Sequence, residues 1–156
     1  MEDYLKTRPK KELFPEAKVI LLREKAINEI KSKFLPNEGI SQIILIGSSV
    51  KNNFGKYEAP GFRDSLFSDF DFIFFVADNY EIPNWLNQEP EGKPFSQIEL
   101  NLAYRQRKFV EDKYDVEIFF VRESSCHNLK IEESGEKAGI PFSTKSKNKH
   151  LVVYKK

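Results

Sequence analysis

Between residues 15 and 34, apolar side chains recur at three- and four-residue spacing. Val19, Leu22, Ala26, Ile30 and Phe34 stand there among Lys, Arg and Glu. That period lines one face of an amphipathic helix. Pro15 suits its first turn, and Pro36 with Gly39 ends it. The pattern then shortens. SQIILIG, residues 41–47, is a β-branched run bounded by turn formers, and it predicts a buried strand ending at Gly47. Residues 51–67 show no period and contain Gly55, Pro60 and Gly61, so a loop is expected. FDFIFFV, residues 70–76, reads as a second strand.

Residues 78–95 hold three prolines and a glycine and predict another loop, with a short helical turn around Trp85. Ser96 and Glu99 form a capping box, which predicts a helix carrying Ile98, Leu102 and Phe109 inward and Arg105, Arg107 and Lys108 outward. KYDVEIFFV, residues 113–121, is a third strand; residues 122–139 read as helical in part, and HLVVY, residues 150–154, as a terminal strand. This order predicts an α+β fold, a mixed β-sheet packed with helices on at least one face. With 156 residues and neither repeat nor evident linker, residues 1–156 are expected to form one domain.

Composition narrows the partners. A formal net charge of +1 gives no support to a strongly basic nucleic-acid binder or an acidic solvating chain. No apolar run approaches the roughly 20 residues of a membrane span, and the first residues lack the apolar core of a signal peptide. No membrane contact is expected. The lone Cys126 precludes an internal disulfide framework or a cysteine zinc site, and it fits a reducing cytoplasm. His127 and His150 have no ligand spacing to each other. Any metal must therefore be held mainly by oxygen.

The chemistry collects on three strands. The first ends in Gly47-Ser48-Ser49, the second opens with Asp69-Phe70-Asp71, and the third carries Asp115-Val116-Glu117. Residues two apart on a strand share a face, so Asp69 projects with Asp71, and Asp115 with Glu117. If the second and third strands are neighbours, three or four carboxylates converge, and leaving them ionised in an apolar surrounding requires a compensating cation. Oxygen-only clusters suit Mg²⁺ or Mn²⁺, and a pair of such ions can grip both oxygens of a phosphoryl transfer. Gly47 lets a phosphate approach the backbone, and the Ser48 hydroxyl and nearby N–H groups can bind its oxygens.

Gly-Ser at a strand end, Asp-x-Asp opening the next strand and a later acid between apolar residues resemble the polymerase-β-type nucleotidyltransferase superfamily. The motifs stand here as ILIGSSV, SDFDFIFFV and YDVEIFF, within residues 15–121, and the small size resembles minimal, stand-alone members. The resemblance implies that Asp69 and Asp71 hold two Mg²⁺ ions on a nucleoside triphosphate, with ATP expected. Asp115 would complete a metal site and help deprotonate the acceptor; Glu117 shares its face, and Asp115 is preferred for an apolar residue on each side in the family manner. Gly47 and Ser48 would seat the β- and γ-phosphates. The reaction implied is transfer of a nucleoside monophosphate, AMP from ATP, with release of pyrophosphate. The acceptor is a small molecule, a protein or an RNA end, and a helical HEPN-type protein or a second copy is the partner expected.

Gly47 and Asp69 are 22 positions apart, more than the resemblance leads one to expect. Residues 51–67 are thus an insertion near the site, where Arg63 could reach a phosphate and Phe54, Tyr57 and Phe62 could stack on a base. Plainer readings compete throughout. Asp69 and Asp71 could cap a turn at a wet strand start, Asp115 and Glu117 could mark a solvated face, and Ser48 could merely end its strand. Lys56 and the basic stretch 143–150 read by default as solvated loop, and Trp85 as core. The competing function is a catalytically silent nucleotide- or partner-binding module of the same fold, for example an antitoxin-like partner of a HEPN-type protein.

Overall fold

The computed structural model describes residues 10–59, 65–86, 93–94, 102–126, 133 and 146–156. Its elements are β1 (Lys11–Leu13), α1 (Glu16–Phe34), β2 (Ile40–Ile46), β3 (Gly55–Tyr57), β4 (Phe70–Val76), β5 (Lys93–Pro94), β6 (Leu102–Val110), β7 (Tyr114–Arg122) and β8 (Leu151–Lys155), with one helical turn at Glu123–Cys126. Six strands form a mixed sheet in the order β5-β6-β7-β4-β2-β8, while β1 and β3 pair separately. The architecture is α+β with a mixed sheet, as the hydrophobic pattern predicts.

β4 lies between β2, antiparallel to it, and β7, parallel to it. Six of its seven residues are buried, which is why its sequence is a nearly unbroken apolar run and does not alternate. Phe70, Phe72, Phe74 and Val76 face α1 together with Ile43, Leu45, Val116, Ile118 and Phe120. α1 meets that face with Val19, Leu22, Ala26, Ile30 and Phe34, the five residues its period selects, all buried. Phe34 stands edge-on to Phe74, with ring centroids 4.7 Å apart. On the reverse face Ile44, Ile46, Ile73, Phe75 and Val121 form a smaller buried cluster. The two faces leave odd-numbered residues of β4 on the side that carries the acids.

Three expectations need correction. From Leu102 onward the segment expected to be a helix is strand β6, hydrogen-bonded to β7 as an antiparallel hairpin; Ser96, Ile98 and Glu99 lie outside the described residues. Leu102, Phe109 and the basic residues between them fit a helical period, but in LAYRQRKFV Tyr104 and Arg105 also alternate between faces, and pairing with β7 decides the matter. The 51–67 segment is likewise not all loop, since β3 pairs with β1 and the Ser68 hydroxyl accepts the Gly55 N–H at 3.0 Å. Phe54, offered above as a base-stacking residue, is fully buried, 4.7 Å from Phe70 and 5.7 Å from Tyr114 between ring centroids. It belongs to the core. Of the segment 122–139, a helical turn at Glu123–Cys126 is described and most of the remainder lies outside the described residues.

The β6–β7 hairpin turns through Glu111 and Asp112, both with positive φ (55° and 53°), and the Lys113 N–H donates to the Val110 carbonyl at 3.0 Å. Side chains with a Cβ resist that conformation, which Asn-Gly adopts readily. Glu111 also meets Lys25 at 3.1 Å, but both are well exposed and the pair contributes little. Replacing Glu111-Asp112 with Asn-Gly is expected to raise the unfolding free energy by about 1 kcal/mol. Urea denaturation checks it: the midpoint should rise at unchanged slope, and a lower midpoint would contradict this account of the turn.

Candidate functional site

Parallel pairing of β4 with β7 sets Asp71 beside Glu117 and Phe70 beside Val116. The same offset carried one residue back places Asp69 alongside Asp115. Carboxylate oxygens of Asp69, Asp71 and Glu117 lie within 4.8 Å of one another. The condition on which the sequence left convergence, that these two strands be neighbours, is met.

A cation from the chain itself lies among them. Arg105 on β6 is in register with Glu117. Its Nη1 donates to Asp69 Oδ2 at 2.6 Å and to Glu117 Oε2 at 3.3 Å. Its Nε and Nη2 both donate to Asp115 Oδ2, at 3.2 and 2.8 Å. Only 9% of the Arg105 side chain is exposed, against 26% for Asp69, 13% for Glu117 and 3% for Asp115. Burial works against the charge of Arg105, yet Asp69 and then Asp115 outweigh it and raise the guanidinium pKa above its ordinary value. The residue stays charged at any pH the fold survives.

Asp115 is tied further. A bulge interrupts the β6–β7 register between Gln106 and Val110, and within it Lys108 adopts a φ of 51°. That conformation aims the Lys108 N–H at Asp115 Oδ1, 2.9 Å away. Arg107 Nε approaches Asp115 Oδ2 at 3.9 Å. With both oxygens so engaged, Asp115 serves as the anchor of Arg105. Sequence alone prefers Asp115 over Glu117 as third metal-binding acid; the register sets each beside one member of the Asp69–Asp71 pair. The oxygens that cluster with that pair, however, are those of Glu117, while both oxygens of Asp115 are held by Arg105 and the Lys108 N–H.

Gly47 follows the last residue of β2 with a φ of +83°, and a Cβ built there would sit 2.5 Å from Asp71 Oδ2. The glycine is needed twice over, for its backbone conformation and because the Asp71 carboxylate packs against its Cα. The chain then makes one tight turn, in which the N–H groups of Val50 and Lys51 both reach the Gly47 carbonyl at 3.1 Å. Ser48 is half-buried in this turn. Ser49 is fully buried, and its hydroxyl has no hydrogen-bond partner among the described residues.

Other candidates fall elsewhere. Arg63, Phe62 and His127 lie outside the described residues. Lys56 sits on β3 with its ammonium over the Phe67 ring, and Tyr57 lies under Lys11. His150 Nδ1 meets the Asn148 carbonyl at 2.8 Å, so the ring is used locally. Trp85 is 39% exposed and stacks parallel to Phe109 beside an open cavity of about 560 Å³. The residue that sequence reasoning missed is Arg105. Its signal was present in the alternation of Tyr104, Arg105, Gln106 and Arg107, which fits a strand whose basic face would meet an acidic one.

Three hard oxygen donors from neighbouring strands fit Mg²⁺ or Mn²⁺ in type and number. Bonds of about 2.1 Å bring adjacent ligand oxygens to roughly 3 Å, so side-chain rotations of about an ångström would close the set. The chain matches no protein-family model, no curated protein and no solved structure, and the geometry itself is the ground for a function.

Gly47→Ala is expected to lower stability by about 1–3 kcal/mol, from the positive φ and the contact with Asp71. Adding Asp71→Ala removes the offending oxygen, so the double variant should lose less than the two single losses combined. A double-mutant cycle in urea measures this, and strict additivity would sink the proposed Gly47–Asp71 contact.

Proposed function

We propose that the protein is a metal-dependent nucleotidyltransferase that moves a nucleoside monophosphate, AMP from ATP, to an acceptor and releases pyrophosphate. One observation carries the proposal. Gly47, the Asp69–Asp71 pair and a third acid, Glu117, are distant in sequence yet meet at the ends of β2, β4 and β7, in the order that the resemblance requires. Asp69, Asp71 and Glu117 would hold Mg²⁺ or Mn²⁺, which when bound would offset the triphosphate's charge and ease loss of the acceptor's proton.

The chain's own part is positioning. Gly47 presents bare backbone beside Asp71, where a side chain would block the approach of a phosphate. Ser48 follows it at the half-buried edge of the turn and offers a hydroxyl. Asp69 is the most open of the three carboxylates that Arg105 holds and the one an acceptor can reach. The acceptor oxygen bonds to the α-phosphorus as the bond to pyrophosphate breaks; pyrophosphate leaves with the electron pair, and the acceptor's proton passes to Asp69. A separate helical protein of HEPN type, or a second copy, as the surface that presents the acceptor belongs to the same proposal. A cytoplasmic setting belongs to it as well; no described helix is long and apolar enough to cross a membrane.

Arg105 gives specific support to a second reading. A buried guanidinium already balances these acids, which is what a catalytically silent nucleotide- or partner-binding module would keep. Incubation with labelled nucleoside triphosphates and Mn²⁺ or Mg²⁺ separates the two. The enzyme is expected to release pyrophosphate only with metal, and Asp71→Asn should abolish release, a fall of at least about 100-fold, while the fold survives. Tight nucleotide binding without turnover across a broad acceptor panel would favour the module.

A further inference from the structure

The guanidinium of Arg105 has two unlike edges. Its Nε and Nη2 sit on Asp115, the most buried of its acid partners, whose other oxygen is held by the Lys108 N–H. Breaking this side would strand a nearly buried carboxylate whose other oxygen is fixed by the backbone bulge at Lys108. Nη1 faces Asp69 and Glu117 instead, the two more open carboxylates and two of the three that form the oxygen cluster. Asp69 lies one residue outside the β4 ladder, and Glu117 is the longer side chain, so both can turn without disturbing strand pairing.

We infer that Arg105 is a substrate-binding residue with one fixed and one exchangeable edge. The Asp115 edge stays in place; Nη1 holds Asp69 and Glu117 in the empty protein and transfers to a phosphoryl oxygen of the triphosphate when a divalent cation takes those carboxylates. The inference rests on the nucleotidyltransferase reading. Its physical basis is the cost of leaving buried charged N–H donors without an acceptor. Once the cation draws Asp69 and Glu117 away, Nη1 needs another anion, and a phosphate is the anion that arrives with the metal. Without nucleotide, the guanidinium and the cation compete for the same oxygens and repel each other. Metal alone should therefore bind weakly, and metal with nucleotide well.

Two binding constants with opposite expected changes test this. Mn²⁺ alone, followed by electron paramagnetic resonance, should bind Arg105→Met about tenfold or more tighter than the unaltered protein, because its competitor is gone. A non-hydrolysable α,β-methylene ATP analogue at saturating Mn²⁺, followed by calorimetry, should bind the same variant about tenfold or more weaker. A merely structural Arg105 would weaken both. Arg105→Lys serves where the methionine variant does not fold: its single ammonium cannot span Asp115 and a phosphate together, so the analogue should again bind more weakly.

Unchanged Mn²⁺ affinity in Arg105→Met, or unchanged analogue affinity in whichever variant folds, overturns the exchange. If the unaltered protein still turns nucleotide over, that outcome leaves the nucleotidyltransferase reading standing. An unaltered protein that binds neither Mn²⁺ nor the analogue at millimolar concentration overturns both.

Discussion

The arrangement depends on one electrostatic constraint: carboxylates of two adjacent parallel strands share a single guanidinium. Pairing β4 with β7 stacks Asp69 and Asp71 against Asp115 and Glu117, and the same pairing buries Phe72, Phe74, Ile118 and Phe120 in the core. The apolar and acidic halves of these strands are thus joined. The sheet cannot gain the hydrophobic contacts of β4 without bringing like charges within a few ångströms of one another. Arg105, delivered by the next strand in the sheet, bridges acids of both strands and makes the pairing tolerable. Removing one member of such a set strands the others, so the cluster is held together by its own energetics whether or not it turns over substrate.

That constraint reaches into local conformation. For Arg105 to stand beside Glu117, β6 must pair with β7 in this register. For Asp115 to have both oxygens satisfied, the strand must bulge so that the Lys108 N–H faces it. Among the described residues four non-glycines have positive φ, and three of them, Lys108, Glu111 and Asp112, lie in this hairpin. Unfavourable backbone is concentrated where the charges are held and the chain reverses. On the other flank of β4, Gly47 admits the Asp71 carboxylate against the backbone, so β2 is fitted to the same cluster from the opposite side.

Much of this was legible in the residues, and the failures are instructive. FDFIFFV announces a strand buried on both faces, and its bounds agree with β4; the five apolar positions of α1 are those buried. Asp69 and Asp71 stood out because acids beside such a run are costly, and they do lie in the oxygen cluster. Period alone misread residues 102–110: spacing of three and four is compatible with a strand when basic and aromatic side chains alternate, and only the partner strand removes the ambiguity. Choosing between Asp115 and Glu117 needed the contacts that β6 makes with Asp115, which the strand's own sequence does not contain. Phe54 was taken for a loop aromatic because β3 is three residues long and pairs with a segment more than forty residues away, which local patterning does not reach.

Whether the cluster works as a catalyst turns on how Arg105 is held, more than on the acids. A guanidinium gripped equally by every carboxylate would be a permanent substitute for metal, and the same residues would then describe a silent domain. The grip here is unequal. Two nitrogens and a backbone N–H secure Asp115 at 3% exposure, while a single nitrogen divides itself between Asp69 and Glu117, at 26% and 13%. Such asymmetry is unnecessary for neutralising charge, since any of the acids would serve as anchor. It follows naturally if one edge of the guanidinium must stay while the other gives up its partners. The oxygens that the loose edge touches are two of the three that could close around a hard cation. On this ground the catalytic reading is preferred to the silent one.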